Sequence, residues 1–302
     1  MKATRKEKRR MKKMWGDRVF DWINAVIMIC VCVVIAYPLY YVLIASFTDP
    51  VIVNSGKVLL YPEKIFMGGY KKIFEYRPMW TGYANTILYT VCGTLVALIA
   101  TIPCAFALSR RDLLGRKVWN FLFTFTMFFG GGIIPLYLII NAVGIYDTIW
   151  AMVLPTAVSV YNLIVCRSFF ESNIPDELYD ASKIDGSNDF DFFFRIVIPL
   201  SSTIMAVMLL FYATAIWNSF MNALMFMGTQ DKMPLQVILR NLVLSNQTTA
   251  LTSSGTEVAQ RMKMAEQLKY AIIVVSALPL LVVYPFVQKY FAKGVLMGAV
   301  KG

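Results

Sequence analysis

The 302-residue sequence contains no histidine. It therefore lacks the side chain most used as a general base and metal ligand near neutral pH. Charge is also scarce, at 16% of residues, and unevenly placed. No Asp, Glu, Lys or Arg occurs in 22–48, 78–109, 118–146, 148–166, 196–230 or 270–288. No GxxxxGK[ST] loop is present, which excludes ATP binding in the P-loop manner. Of five cysteines, Cys30, Cys32, Cys92 and Cys104 fall in the first two charge-free runs and Cys166 ends the fourth. None has zinc-site spacing, so they read as small apolar packing residues. A membrane-embedded enzyme would need carboxylate clusters, histidines or Cys–His pairs in its spans, and these runs carry none.

What is present is apolar: 58% of the residues are hydrophobic. The six charge-free runs hold 27, 32, 29, 19, 35 and 19 residues, and about 20 are needed to cross a bilayer core. None shows a polar face at helical spacing, as a soluble helix of that length would. A charge at mid-membrane costs roughly 3 kcal/mol on insertion scales, so its absence suits lipid. The expected fold is an all-α polytopic membrane protein with six transmembrane helices. The spans are placed at about 21–47, 84–108, from Val118, 149–166, Ile196 toward Met227, and 270–289. The first run is too long for a signal peptide, and Tyr37-Pro38-Leu39-Tyr40-Tyr41 is not a small-residue cleavage site, so it reads as a retained anchor.

Net charge is +11, and its distribution points to topology rather than nucleic acid. Residues 1–18 carry nine Lys/Arg, loop 109–117 four, segment 167–195 three and the tail after 288 three. The alternate loops carry five in 49–77, none in 142–148 and five in 231–269. Basic flanks stay cytoplasmic, so both termini are expected inside. The cluster Arg5-Lys6-Glu7-Lys8-Arg9-Arg10 suits a solvated or lipid-headgroup role. The expected organisation is a basic cytoplasmic arm (1–18), a six-helix membrane domain (19–290) and a cytoplasmic tail (291–302). Within the membrane domain lie an external segment (49–83), an inner elbow (173–195) and an external loop (228–269). That last loop, polar and poor in aromatics, is expected to be irregular with one or two short helices. Gly130-Gly131-Gly132-Ile133-Ile134-Pro135 should loosen or kink the third span, either against protein or water or as a packing notch.

The most informative stretch is 174–200. Pro175 suits a first helical turn, and Asp176 and Glu177 suit the positive end of a helix dipole. Gly186 stands where a left-handed cap would stop the helix, and Ser187 or Asn188 can cap the next. The expectation is a helix, a sharp bend and a second helix leading into the fifth span. Leu178, Ala181, Ser182 and Asp185 are spaced to share one face, either toward another protein or on the headgroups.

Asp180-Ala181-Ser182, three residues, Gly186, nine residues, then Ile196-Val197-Ile198-Pro199 resembles the EAA loop of type I ABC importer permeases. That pattern reads E-A-A, three residues, G, nine residues, I-x-L-P, so the spacing is kept with Asp for Glu, Ser for Ala and Ile for Leu. The ending Lys293-Gly294-Val295-Leu296-Met297-Gly298-Ala299-Val300-Lys301-Gly302 looks like MalG-like carbohydrate-uptake permeases. The run Gly130 to Tyr137 is similar to the LplC/YtcP branch of that group.

The resemblance implies a MetI-like permease in a bacterial cytoplasmic membrane, itself not catalytic, importing a sugar or oligosaccharide. An amino acid, peptide or anion is the alternative solute. Implied partners are a homologous permease subunit, a cytoplasmic ABC ATPase dimer, an extracytoplasmic solute-binding protein and membrane lipid, with no nucleic acid. No cofactor belongs to this chain; ATP and Mg would bind the ATPase, and no metal site is expected. Glu177, Tyr179, Asp180, Ala181, Ser182 and Gly186 are the implied ATPase-coupling residues. For substrate, planar hydrogen-bonding groups and aromatic faces single out Tyr212, Trp217, Asn218 and Asn222 in the fifth span, and Tyr137 and Asn141 in the third. The competing role for each asparagine is an interhelical hydrogen bond.

Overall fold

The computed structural model describes residues 15–56, 60–252 and 257–299. The first fourteen residues of the expected basic arm and the last three of the expected tail lie outside the described residues. Among those described there is no strand, only an isolated antiparallel bridge between Thr48 and Ile65.

The helices in chain order are α1 (Trp15–Phe47), α2 (Pro50–Asn54), α3 (Gly68–Glu75), α4 (Arg77–Ser109), α5 (Arg116–Phe128) and α6 (Ile133–Ala142). After them come α7 (Ile149–Val153), α8 (Val160–Asn173), α9 (Asp176–Ile184), α10 (Asp189–Phe192) and α11 (Ile198–Leu200). The last are α12 (Ser202–Trp217), α13 (Met221–Phe226), α14 (Leu235–Thr252) and α15 (Glu257–Ala299).

Three stretches are long and apolar enough to cross a membrane in one piece: Val19–Phe47, Arg77–Ser109 and Met262–Val282. Three more pass the test only as bent pairs, giving up to six. Each bend has a local cause. α5 and α6 meet at 111° across residues 129–132, where Gly132 takes φ +83. The expected kink in the third run is thus a full break. α7 and α8 meet at 50° at a 3-10 turn holding Pro155, and Ser159 caps α8 by accepting the Asn162 N–H at 3.4 Å.

The segment Asp189–Leu200 meets α12 at 81°. It includes a π turn over Phe193–Val197, just before Pro199, whose missing N–H relaxes the ordinary hydrogen-bond ladder.

α4 is the central helix, packing against α8 and α12 in its second half and α14 in its first. Two cores result. One joins α4, α8, the 189–200 segment and α12 around Phe170, Phe192, Val197 and Met208. The other joins α3, α4, α14 and α15 around Ile73, Met79, Leu235 and Leu268. Close approaches need glycine: a Cβ on Gly82 would lie 3.2 Å from the Leu235 Cα.

Residues 228–269 correct the expectation of an irregular loop. Leu235, Ile238, Leu239 and Leu242 are all buried, at the spacing of one helical face. That face covers α4 and α15, so packing overrides the polar composition farther along. α15 likewise begins thirteen residues before the expected span.

Candidate functional site

The bend between α8 and α12 forms as its residues dictate. Ile174 and Pro175 are extended, with φ/ψ of −114°/93° and −65°/148°, and they release the chain from α8. α9 then runs from Asp176 and stops at Gly186, whose φ is +79°. The Ser187 N–H donates to the Ser182 carbonyl at 2.9 Å, and the Gly186 N–H to that of Lys183 at 3.1 Å. This is the paired closure of a left-handed helix cap. Asn188 opens the next helix, its Oδ1 accepting the Asp191 N–H at 2.8 Å.

The aromatic residues of the bend hold it against α4. Phe106 meets Phe170, Phe192 and Phe193 at ring-centroid distances of 5.8, 6.1 and 5.2 Å. Tyr179 packs edge-on to Phe192 at 5.2 Å, and its hydroxyl donates to Asp189 Oδ1 at 2.7 Å. Lys183 Nζ lies 2.8 Å from the same oxygen. The hydrogen bond to Asp189 raises the Tyr179 phenol above its ordinary pKa. Lys183, and then Tyr179, hold the Asp189 carboxyl below the usual range. Asp189 remains an anion at neutral pH and Tyr179 a hydrogen-bond donor.

Of the six coupling candidates, Glu177, Asp180, Ala181 and Gly186 are exposed. Ser182 is not: it is 4% exposed, and its hydroxyl donates to the Tyr179 carbonyl at 2.7 Å. The shared face is therefore Leu178, Ala181 and Asp185, with Ser182 turned into the bend. The apolar Ile184, on the same helix, is 87% exposed. Between the end of α4, α8 and the start of α9 lies a cavity of about 400 Å³, lined in part by Arg110, Arg111, Arg116, Glu171 and Asp176.

The substrate candidates divide. Tyr212 is buried, its hydroxyl 2.6 Å from Thr101 Oγ1 and accepting the Ser159 N–H at 3.1 Å. Trp217 is buried beside α15, with Nε1 3.4 Å from the Ser276 carbonyl. Both tie helices together. Asn218 and Asn222 do not share a helical face, because α12 ends at Trp217 and α13 begins at Met221. Asn218 lines an open groove of about 770 Å³ between α8 and α12, with Ser159, Tyr161, Asn162 and Thr214. Asn222 is half-buried. Tyr137 and Asn141 are exposed on α6, where Asn141 Nδ2 donates to the Tyr137 carbonyl at 2.9 Å.

Two polar joints were not anticipated. Asp147, at φ +57°, accepts the Gly228 and Thr229 N–H groups on Oδ1 at 2.9 and 3.0 Å. Its Oδ2 takes the Thr229 hydroxyl at 2.6 Å and Lys232 Nζ at 2.9 Å. The Tyr89 hydroxyl donates to the Lys232 carbonyl at 2.7 Å, tying this clasp to α4. A signal existed, since Asp147 is the single charged residue in 118–166. Gln267, fully buried on α15, accepts the Gly69 N–H at 2.7 Å and donates to the carbonyls of Ser46, at 2.9 Å, and Phe66. Nothing in its surroundings in the sequence marks it.

Residues 77–297 match the family described as the binding-protein-dependent transport system inner membrane component. The chain belongs to this family. Its helices, with the bend between α8 and α12, are those of a MetI-like permease, a non-catalytic transport component. The permease is 39% identical to the polygalacturonan/rhamnogalacturonan transport system permease protein YtcP of Bacillus subtilis (strain 168), across 95% of this chain and 99% of that one. It is 37% identical to protein LplC of the same organism, across 95% and 96%. A solved structure of a bacterial ABC transporter involved in import of the acidic polysaccharide alginate is 33% identical. It superposes with a TM-score of 0.78, covering 92% of this permease and 98% of that chain.

Proposed function

We propose that this permease forms half of the translocation path for a sugar or oligosaccharide, in an importer whose ATPase subunit seats on α9. The observation that carries the reading is the exposed face of Leu178, Ala181 and Asp185, held at a capped bend with little slack before α12. Ala181 is small enough for a partner's backbone to approach closely. Glu177 and Asp180 flank it with charge, while Tyr179, Ser182 and Gly186 shape the bend rather than touch the partner. Motion imposed on such an elbow reaches α12 as a rigid displacement.

The remaining assignments follow from charge and kinship. Both termini and the elbow lie on the cytoplasmic side of a bacterial inner membrane, and 49–83 and 228–269 lie outside, supported by the Lys/Arg imbalance. A homologous permease completes the path as a heterodimer. An ATPase dimer brings ATP and Mg, and an extracytoplasmic binding protein brings the solute. A sugar is supported by the names of the relatives and by the groove beside Asn218, whose lining residues are uncharged. Asn218, Asn222, Tyr137 and Asn141 are its candidate contacts, and Tyr212 and Trp217 hold the walls.

The test is Ala181→Trp in the complete reconstituted transporter. The variant should insert normally, and ATP hydrolysis in response to the loaded binding protein should fall at least tenfold. Hydrolysis at the wild-type rate would remove α9 from the joint.

A further inference from the structure

The aromatic residues after the bend already rest on α4; Arg110 fastens α9 itself to that helix. Arg110 follows the last residue of α4 and leaves the helix with φ/ψ of −66°/135°. Its side chain is only 16% exposed. The guanidinium carbon lies 3.6 Å from the centre of the Tyr179 ring, Nη1 3.6 Å from Asp176 Oδ1, and Nε 3.0 Å from Asp112 Oδ1. One planar cation thus engages the start of α9 by charge and its next turn by stacking. Arg111 adds a contact to Asp176 at 3.3 Å. Tyr179 carries the connection across the bend, through its hydrogen bond to Asp189.

Without these contacts α9 has two places to pivot. One is the extended Ile174-Pro175 link to α8, and the other is the left-handed Gly186. A guanidinium stacked on an aromatic face and paired with a carboxylate opposes both tilting and sliding, which the point charge of a lysine would not.

We propose that Arg110 is a positioning residue for energy coupling, obliging the inner end of α4 to move with α9. Force arriving at α9 then reaches the inner end of α4 directly, in addition to the route through the bend and the aromatic packing of Phe192 and Phe193 on Phe106. This rests on the reading that α9 contacts the ATPase, but it makes a separate claim.

The experiment uses the complete transporter in liposomes, with the five native cysteines replaced by alanine. Nitroxides are placed at Ile99→Cys on α4 and Ile184→Cys at the end of α9, both exposed positions. With Arg110 present, the distance between the labels keeps one value and width before and after trapping with ATP and vanadate. In Arg110→Gln the distribution should widen or shift by about 2 Å or more on trapping, while basal ATP hydrolysis is unchanged. Arg110→Lys should fall between, and it decides the matter if Arg110→Gln fails to accumulate. A variant whose distribution matches the wild type in both states overturns the proposal. Loss of the ATPase from the purified wild-type assembly would instead sink the reading of α9, leaving the clamp's geometry intact.

Discussion

Replacing Asp147 by Asn tests the clasp that joins 143–148 to 226–232. Asparagine tolerates the positive φ, so the backbone is held constant and only the charge is removed. The amide oxygen can still accept the Gly228 and Thr229 N–H groups. Its NH2 group, however, would face the Lys232 ammonium donor against donor, while the Thr229 hydroxyl can turn to accept from it. Hydrogen bonds to a charged group contribute roughly 1.5–3 kcal/mol each. The Asp147 side chain is 20% exposed, and water recovers part of that, so losing the Lys232 bond and the charge on the remaining three should cost about 2 kcal/mol in all. Amide hydrogen exchange at Gly228 and Thr229 reads the local opening directly, and about 2 kcal/mol corresponds to roughly 30-fold faster exchange.

The pH dependence supplies a second signature. Hydrogen bonds from the Thr229 hydroxyl, the Thr229 amide and Lys232 hold the Asp147 carboxyl far below the usual range. A depressed acid stabilises fully above its unfolded pKa, roughly 3.9, and loses that contribution as pH falls through the folded value. Protection at 228–229, corrected for intrinsic exchange, should therefore be flat near neutrality and decline below about pH 4. The Asn variant should lack that decline. Exchange within threefold of wild type, or the same acid decline in both proteins, would refute the assigned role of the carboxylate.

A Cβ at Gly186 would meet nothing within 4 Å, so substitution there acts through backbone strain alone. Gly186→Ala should cost about 1 kcal/mol and Gly186→Asn roughly half that. Unfolding midpoints in detergent should rank Gly above Asn above Ala, and an Ala variant as stable as wild type would speak against the left-handed cap. Gln267→Leu strands three backbone groups, those of Gly69, Ser46 and Phe66. It should destabilise by about 3 kcal/mol, seen as a lowered unfolding midpoint, and an unchanged midpoint would show that water or neighbours replace the amide.

The elbow was legible because its residues act locally. Pro175, Gly186 and Asn188 each impose a backbone choice that no tertiary contact has to supply. The apolar runs were legible for the same kind of reason, since their length and lack of charge are properties of the chain. The breaks were less so: Gly130-Gly131-Gly132 announced one, but a 111° turn depends on what α5 and α6 pack against. The helix at 235–252 was obscured by the Asn, Gln, Thr and Ser residues at its far end, although its apolar half repeats at helical spacing. At the site, the shared face of α9 was right for Leu178, Ala181 and Asp185. It was wrong for Ser182, because four positions on a helical wheel do not reveal which edge is tucked under Tyr179. Arg110 looked like one more basic loop residue, since stacking on a ring about seventy positions away leaves no mark in its neighbourhood.

The first helix joins the remainder near its C-terminal end, against α15 and, through the Phe47–Tyr70 stack and the Tyr70–Ser46 hydrogen bond, against α3; burial in α1 begins only near Ile44. Residues 19–40 are all exposed on this subunit, and Tyr40 reaches back to donate to the Leu60 carbonyl. Packing within this subunit thus asks of 19–39 only oiliness and reach across the bilayer; any demand on their shape comes from a neighbour in the membrane. The buried end around Ile44, Ala45 and Ser46, by contrast, must keep its fit to the rest of the chain.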